Sequence, residues 1–366
     1  MSNRTLSTHA PDESGEQISL IRETAAAVAD RENLSRVRSL RFTLPGFDRS
    51  AHRKMAEQGW IGLALAEDQG GAGFGIAEYV ALCEELGAGL VPEPFISVDM
   101  AARLTGSQHR NAIVDGSLIM LPAYEENEEV AAADYYDQTV FQNGKVTGEK
   151  KFVYMAGGAD AFIVSSKDGL YLVRADAPGV ELQTEFTQDG GHFGTLKLQG
   201  APAELLQADS DEAFDVAALG VAAYLLGIIE ASLAMTKAYL GMRKQFGVSI
   251  GSFQALRHKV VDLSVQAALA RASIDNAVLV ISGDVPATQK AIAVSRAKIR
   301  AADAAMLVTR QSVQMHGAIG FTDEADIGLY LRKAMVMVTQ FGSTKFHRWR
   351  YADLFGAAQN STENHT

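Results

Sequence analysis

The chain has 366 residues, 47% of them apolar and 21% charged, an ordinary globular mixture long enough for two or three domains or one large composite one. Its 33 basic and 44 acidic side chains leave a formal charge of −11, which argues against nucleic acid as a partner, because a phosphate-binding footprint would be basic. Cys83 is the only cysteine; disulfide frameworks and cysteine-rich metal sites are excluded, and its apolar helical surroundings make it inert core.

Residues 1–15 are polar and read as a loose arm. The start, Met-Ser-Asn-Arg-Thr-Leu, lacks the apolar core of a signal peptide, and no apolar run reads as long enough to span a bilayer; the expectation is a cytoplasmic protein with no membrane partner. From 16 to 112 helical patterns dominate. Ile18, Ile21, Ala25 and Val28 mark a helix over 16–31, a second runs over 51–63, and a third runs from Ile76 to Leu86, ended by Gly87 and Gly89. The glycine-rich passage 70–75 between the last two fails the dinucleotide-loop spacing, and a helix rather than a strand precedes it.

Over 113–210 the period changes. Short β-branched or aromatic runs at 117–123, 140–154, 161–165, 170–173 and 194–198 are separated by Gly, Asp and Asn, and Asn143-Gly144 signals a hairpin. A small, mostly antiparallel β domain is expected. From 211 to 356 the chain is helical again, and 357–366 reads as a disordered tail. Phe214, Ala218, Val221, Leu225, Ile228, Ser232, Met235, Tyr239 and Met242 form one helical stripe. Phe253, Leu256, Val260, Leu263, Ala267, Ala270, Ile274, Ala277 and Ile281 form another. The link between them has Gly247 and Gly251 as breakers and Ser252 as a candidate N-cap. It places Arg243 and Gln254 at the end of a helix pair, where an anionic ligand can meet them. A third helix begins after Asp284 and Pro286 and stops at His316, and Thr322 is a candidate cap for the next.

The stretch from Arg243 to Asp262, with Arg-x-x-Phe-Gly at 243–247 and Phe253-Gln254, resembles the acyl-CoA dehydrogenase family. So do Gly-Trp-Ile-Gly-Leu at 59–63 with the Gly-Gly-Ala-Gly turn after it, the middle segment 143–153, and Gln314-Met-His-Gly-Ala-Ile-Gly-Phe321. The matches span nearly the whole chain in the right order. The resemblance implies an α+β fold: an N-terminal helical domain, a middle β-barrel or β-sheet domain, and a C-terminal four-helix bundle. It also implies FAD. Arg243, Phe246, Gln254, Gln314, Gly317 and Ala318 would contact the cofactor of a neighbouring subunit, glycine backbone approaching its pyrophosphate closely. Phe152, Tyr154 and Ser343 would lie toward the flavin ring.

Several positions depart from the family's pattern. Ala66 replaces a proline and Ala318 a glycine. The Glu that removes the substrate's α-proton commonly precedes a glycine near the C-terminus; Phe341 holds that place before Gly342, and a phenyl ring accepts no proton. An alternative position for the Glu falls on Ala217, beside Ala218. Asp215 is close by but reads first as a helix cap. Trp-Ile-Thr becomes Phe152-Val-Tyr154, and the Thr-Glu-Pro loop becomes Ala123-Tyr-Glu-Glu126. His316 reads as a helix end, and Gly247-Val-Ser-Ile-Gly251 lacks the strand a nucleophilic serine elbow needs.

Three functions follow as expectations. The first is the small, FAD-sharing subunit of a heteromeric enzyme, in an α2β2 assembly with a larger chain that carries the Glu. That assembly would oxidise an acyl-CoA, as in pimeloyl-CoA or steroid side-chain degradation, and pass electrons to an electron-transfer flavoprotein. The second is a self-sufficient homo-oligomer using Asp215 or another carboxylate. The third is a scaffold without flavin.

Overall fold

The computed structural model describes residues 11–126, 138–207 and 210–363. Six helices form the first block: α1 (Pro11–Val28), α2 (Ser35–Leu40), α3 (Arg49–Glu57), α4 (Ile76–Ala88), α5 (Phe95–Leu104) and α6 (Ser107–Val114). The first begins inside the stretch expected to be a loose arm. Its described part runs from Pro11, a residue compatible with a helix's first turn; residues 1–10 of that arm lie outside the described residues. Asp48 caps α3 by accepting the Ser50 N–H at 2.7 Å, and the helix stops at Glu57 rather than 63 because Gly59 turns to φ 71°. Gly87 does not end α4; the helix runs through it to Ala88. The carbonyl of Ala88 instead accepts the Tyr330 hydroxyl at 2.8 Å.

The middle module comprises β1 (Met120–Ala123), β2 (Val140–Gln142), β3 (Lys145–Tyr154), β4 (Ala161–Ser166), β5 (Gly169–Arg174), β6 (Val180–Phe186), β7 (His192–Pro202) and β8 (Glu204–Leu206). They make two four-stranded sheets, β1-β4-β5-β8 and β2-β3-β7-β6. Among the described residues only the β1/β4 pairing is parallel. Asn143 and Gly144 adopt φ 53° and 74°, the paired left-handed turn that suits the twist of a tight hairpin. The sequence reading missed β6 and β8. The run Val-Glu-Leu-Gln-Thr-Glu-Phe in β6 carries glutamates that suit an exposed edge strand more than a core one.

The C-terminal part holds α7 (Ser210–Met242), a miniature hairpin β9 (Lys244–Gln245) and β10 (Val248–Ser249), then α8 (Gln254–Ile281), α9 (Ala287–His316), α10 (Ile327–Met337) and α11 (Thr344–Glu363). α9 touches each of the other four helices. α7 packs against α4, α5, α8, α9 and α10, so it is buried on nearly every side rather than along one stripe. Its crossing with α4 is made by two glycines: a Cβ on Gly227 would lie 1.9 Å from the Glu84 carbonyl oxygen, and one on Gly87 would lie 2.0 Å from that of Tyr224.

Four expectations need correction here. α7 and α8 are both long and apolar enough to cross a bilayer; the apolar window of α7 is 94% buried within the fold, that of α8 only 22%. Ser252 does not cap α8, because its hydroxyl donates to the Ser249 carbonyl at 2.6 Å and Phe253 takes the cap position. Thr322 likewise donates back to Ile319 at 2.8 Å, and α10 opens after Asp326. The expected tail is the continuation of α11 through Glu363; 364–366 lie outside the described residues.

Candidate functional site

The link between α7 and α8 is a hairpin, not a loop with breakers. Its turn is Phe246-Gly247, at φ 52° and 82°. A phenylalanine in the left-handed region is sterically costly, and this one is 92% exposed, with only the edge of Phe253 against it at 6.3 Å. Beside the hairpin lies an open groove of about 600 Å³ lined by Arg243, Gln245, Lys259, Gln314, Gly317 and Ala318 among others. That volume is in the range of about 300–1,000 Å³ typical of cofactor sites. Neither Arg243 nor Lys259 forms an ion pair among the described residues. An anion therefore meets uncompensated positive charge there.

The groove's floor is fixed from below. The Tyr239 and His316 rings stack at 4.4 Å, the Tyr239 hydroxyl donates to the His316 carbonyl at 3.2 Å, and His316 Nδ1 donates to the Ser312 carbonyl at 2.8 Å. Burial lowers the His316 pKa, so this ring is a neutral platform. Gly317 caps α9 at φ 67° and ψ −145°, a conformation closed to residues with a Cβ, and nothing crowds it. The glycine is there for its backbone shape, not for lack of room. Gln254 is exposed at the start of α8 but does not line the groove.

The second set of candidate residues sits in the interior. Phe341 is 2% exposed with φ 50°. Its ring stacks on Tyr124 at 6.0 Å and meets Phe214 edge-on at 6.3 Å, and its N–H donates to the Tyr124 hydroxyl at 3.1 Å. His347 Nε2 donates to the Phe341 carbonyl at 2.8 Å, and Lys298 Nζ donates to those of Val338 and Gly342 at 3.0 and 2.9 Å. Gly342 is obligatory: at φ 95°, a Cβ would fall 2.4 Å from the Phe346 ring. Ser343 caps α11, its hydroxyl accepting the Phe346 N–H at 3.2 Å. Burial lowers Lys298 to about 7, against Glu125, whose carboxyl burial raises to about 7.

Phe152, at φ 55°, is half-buried with its edge on Phe193 at 6.0 Å. Tyr154 turns its hydroxyl inward to accept from Lys333 Nζ at 2.9 Å, and Lys333 also donates to Asp189 at 2.8 Å. The cavity shared by Tyr154 and Phe341 measures about 20 Å³, room for one water. On this side the residues do not fit a flavin ring; at the groove they fit the cofactor's anionic part.

Asp215 is no helix cap, since α7 starts at Ser210. It is ion-paired to Arg350 on α11. Burial raises its pKa and Arg350 pulls the other way. Arg350, but not Asp215, lines a separate pocket of about 240 Å³ together with Asp211, Tyr124, Phe214 and Phe346 among others. The Ser249 hydroxyl donates to the Leu240 carbonyl at 3.2 Å, a structural turn contact. Sequence reasoning missed Lys259 in the groove and the Lys333–Asp189 pair. The one available signal was the Arg332-Lys333 pair inside the otherwise apolar stretch Tyr330–Met337.

The chain also matches known proteins along most of its length. The family model for the N-terminal domain of acyl-CoA dehydrogenases matches residues 15–107, and that for the C-terminal domain matches 209–353. The acyl-CoA dehydrogenase IpdE2 of Mycolicibacterium smegmatis is 32% identical over 321 residues, 87% of this chain and 92% of that protein. Among solved structures, a variant of the Tcur3481-Tcur3483 steroid ACAD superposes with a TM-score of 0.85 at 27% identity, covering 95% of this chain and 99% of that one. The ChsE4-ChsE5 complex from Mycobacterium tuberculosis shares the fold, with a TM-score of 0.82 at 24% identity over 96% and 99% of the two chains. With its helical, β and helical parts in that order, the chain belongs to the acyl-CoA dehydrogenases, FAD-dependent oxidoreductases of acyl-CoA thioesters.

Proposed function

We propose that this chain is the non-catalytic subunit of a hetero-oligomeric acyl-CoA dehydrogenase, holding part of the FAD that serves a larger partner chain. The observation that carries this reading is the contrast within one molecule. The cationic groove of Arg243, Gln314, Gly317 and Ala318 is open, whereas the place expected for the catalytic carboxylate holds Phe341, buried among Tyr124 and Phe214. Bound FAD supplies the hydride acceptor for α,β-dehydrogenation. This chain's part is to neutralise the cofactor's phosphates with Arg243 and Lys259, and to offer the Gln314 amide and the bare backbone of Gly317. With no proton acceptor at 341, the α-proton must leave to a carboxylate on the partner.

Exposed apolar side chains at the groove or next in sequence to its lining residues suit a protein surface pressed against it: Ile319 lines the groove, and Met242, Phe246 and Phe321 lie within two residues of lining positions, at 44%, 74%, 92% and 75% exposed in that order. Two solved relatives carry paired-chain names, Tcur3481-Tcur3483 and ChsE4-ChsE5, which supports a two-chain assembly, read here as α2β2 with an electron-transfer flavoprotein as acceptor. Pairing with Arg350 speaks against Asp215 as a base in a self-sufficient enzyme. A colourless scaffold would have no use for an uncompensated cationic groove.

The test is to purify the chain alone and together with the dehydrogenase chain from a neighbouring gene, and to assay acyl-CoA oxidation and flavin content in both. Activity is expected only from the pair, with Arg243→Ala stripping its flavin. Full activity from the isolated chain overturns the proposal.

A further inference from the structure

Resting on the reading of the groove, we propose that Tyr154, pinned by Lys333 and Asp189, is a wedge that keeps a flavin ring out of this chain's own interior, so that each pair of unlike chains holds one cofactor. Three distant segments build it: the end of β3, the turn between β6 and β7, and α10. Lys333 Nζ lies 2.9 Å from the Tyr154 hydroxyl, 2.8 Å from an Asp189 oxygen and 5.5 Å from the Tyr154 ring centre. The other Asp189 oxygen accepts the Thr187 hydroxyl at 2.5 Å and the Gly191 N–H at 3.0 Å. Tyr154, Lys333 and Asp189 are each buried.

Two small cavities lie against the wedge, apart from the pocket of about 240 Å³ beside Phe214 and Phe346. One, lined by Asp189, Lys333, Arg41 and Met155 among others, measures about 20 Å³; the other, lined by Tyr154, Tyr224 and Phe341 among others, measures about 20 Å³ as well. Each has space for a single water, far below the several hundred Å³ that a bound cofactor occupies. Packing alone does not call for charge here, because an apolar trio of the same volume would be as stable or more so. A buried network with every member satisfied does something else: it fixes one side-chain arrangement. A tyrosine whose hydroxyl is held by an ammonium, itself held by a carboxylate, cannot swing aside to admit a ring.

The experiment counts flavin by its visible absorbance per chain in the purified two-chain assembly. The wild-type pair is expected to carry one flavin. In a chain with Tyr154→Thr, Lys333→Ala and Asp189→Ala, the content is expected to rise toward twofold. Two flavins in the wild-type pair overturn the inference. So does an opened variant that assembles with an unchanged circular dichroism spectrum yet stays at one. If the opened variant does not fold, the wild-type count still decides. Full flavin retention in Arg243→Ala would sink the groove reading while leaving that count to judge the wedge, and a colourless wild-type pair would sink both.

Discussion

The groove beside the α7–α8 hairpin and the interior around Tyr154 and Phe341 have opposite characters on a similarly strained backbone. Phe246 at the hairpin and Phe152 and Phe341 inside all sit at positive φ, 52°, 55° and 50°, which bulky side chains rarely adopt. Such strain persists only where surrounding structure over-determines it. At the hairpin the strained residue stands free and the neighbouring cations are unpaired. Inside, each strained residue packs against another ring, Phe341 stacked on Tyr124 and Phe152 edge-on to Phe193, and each nearby charge is partnered or shifted toward neutrality. The lesson is that the main-chain shape of a site can outlast its chemistry: side chains close one half while the other stays open.

The comparison breaks first at Lys333. Lys333→Ala should cost about 3–5 kcal/mol, because it strands a buried Asp189; urea unfolding measures it, and a cost near zero would mean the interior is not locked. Acid should find the filled half next. His192 and His347 are fully buried, and burial lowers them to about 4 and about 3. Between those values and the unfolded 6.5 the unfolded chain binds more protons, so stability is complete near neutrality and is lost as pH falls toward 4. Glu125, raised to about 7 by burial, works the other way and offsets part of this. A net loss on the order of 3 kcal/mol by pH 4.5 is expected in thermal melts, and a flat profile would refute it.

Arg243→Ala should leave stability within about 0.5 kcal/mol, while flavin retention by the assembly weakens by about 1.5–3 kcal/mol, the worth of a charged hydrogen bond. Phe341→Glu restores a carboxylate where the resemblance expects one. It should cost about 1–3 kcal/mol for burying a polar group and return no dehydrogenation from the isolated chain; turnover would show that the interior admits substrate after all. Smallest is Phe246→Gly, which relieves the positive φ and should raise the melting midpoint slightly, by about 0.5 kcal/mol or less after added chain entropy. Pairing with the larger chain should nonetheless weaken, as read by size-exclusion chromatography.

What the sequence disclosed was local. Asn143-Gly144 announced its hairpin because both residues accept positive φ. Phe246-Gly247 makes the same kind of turn, yet it escaped notice because phenylalanine is a poor occupant of its first position. The stripe Leu263, Ala267, Ala270, Ile274 and Ala277 predicted the buried face of α8, whereas α7 is buried all round and a single stripe under-described it. Arg243 on the one hand and Gln314, Gly317 and Ala318 on the other were legible because each belongs to a short motif that resembles the family, and folding brings the two motifs to one groove. The Tyr154–Asp189–Lys333 contact was not, since only folding brings together residues from β3, a β turn and α10.

The paired glycines where α4 crosses α7 carry a mechanical consequence. With main chain resting on main chain at Gly87 and Gly227, no rotamer change can loosen that joint. The two helices behave as a weld that ties the first helical block to the bundle. Any relative movement of the two blocks would have to leave this crossing intact.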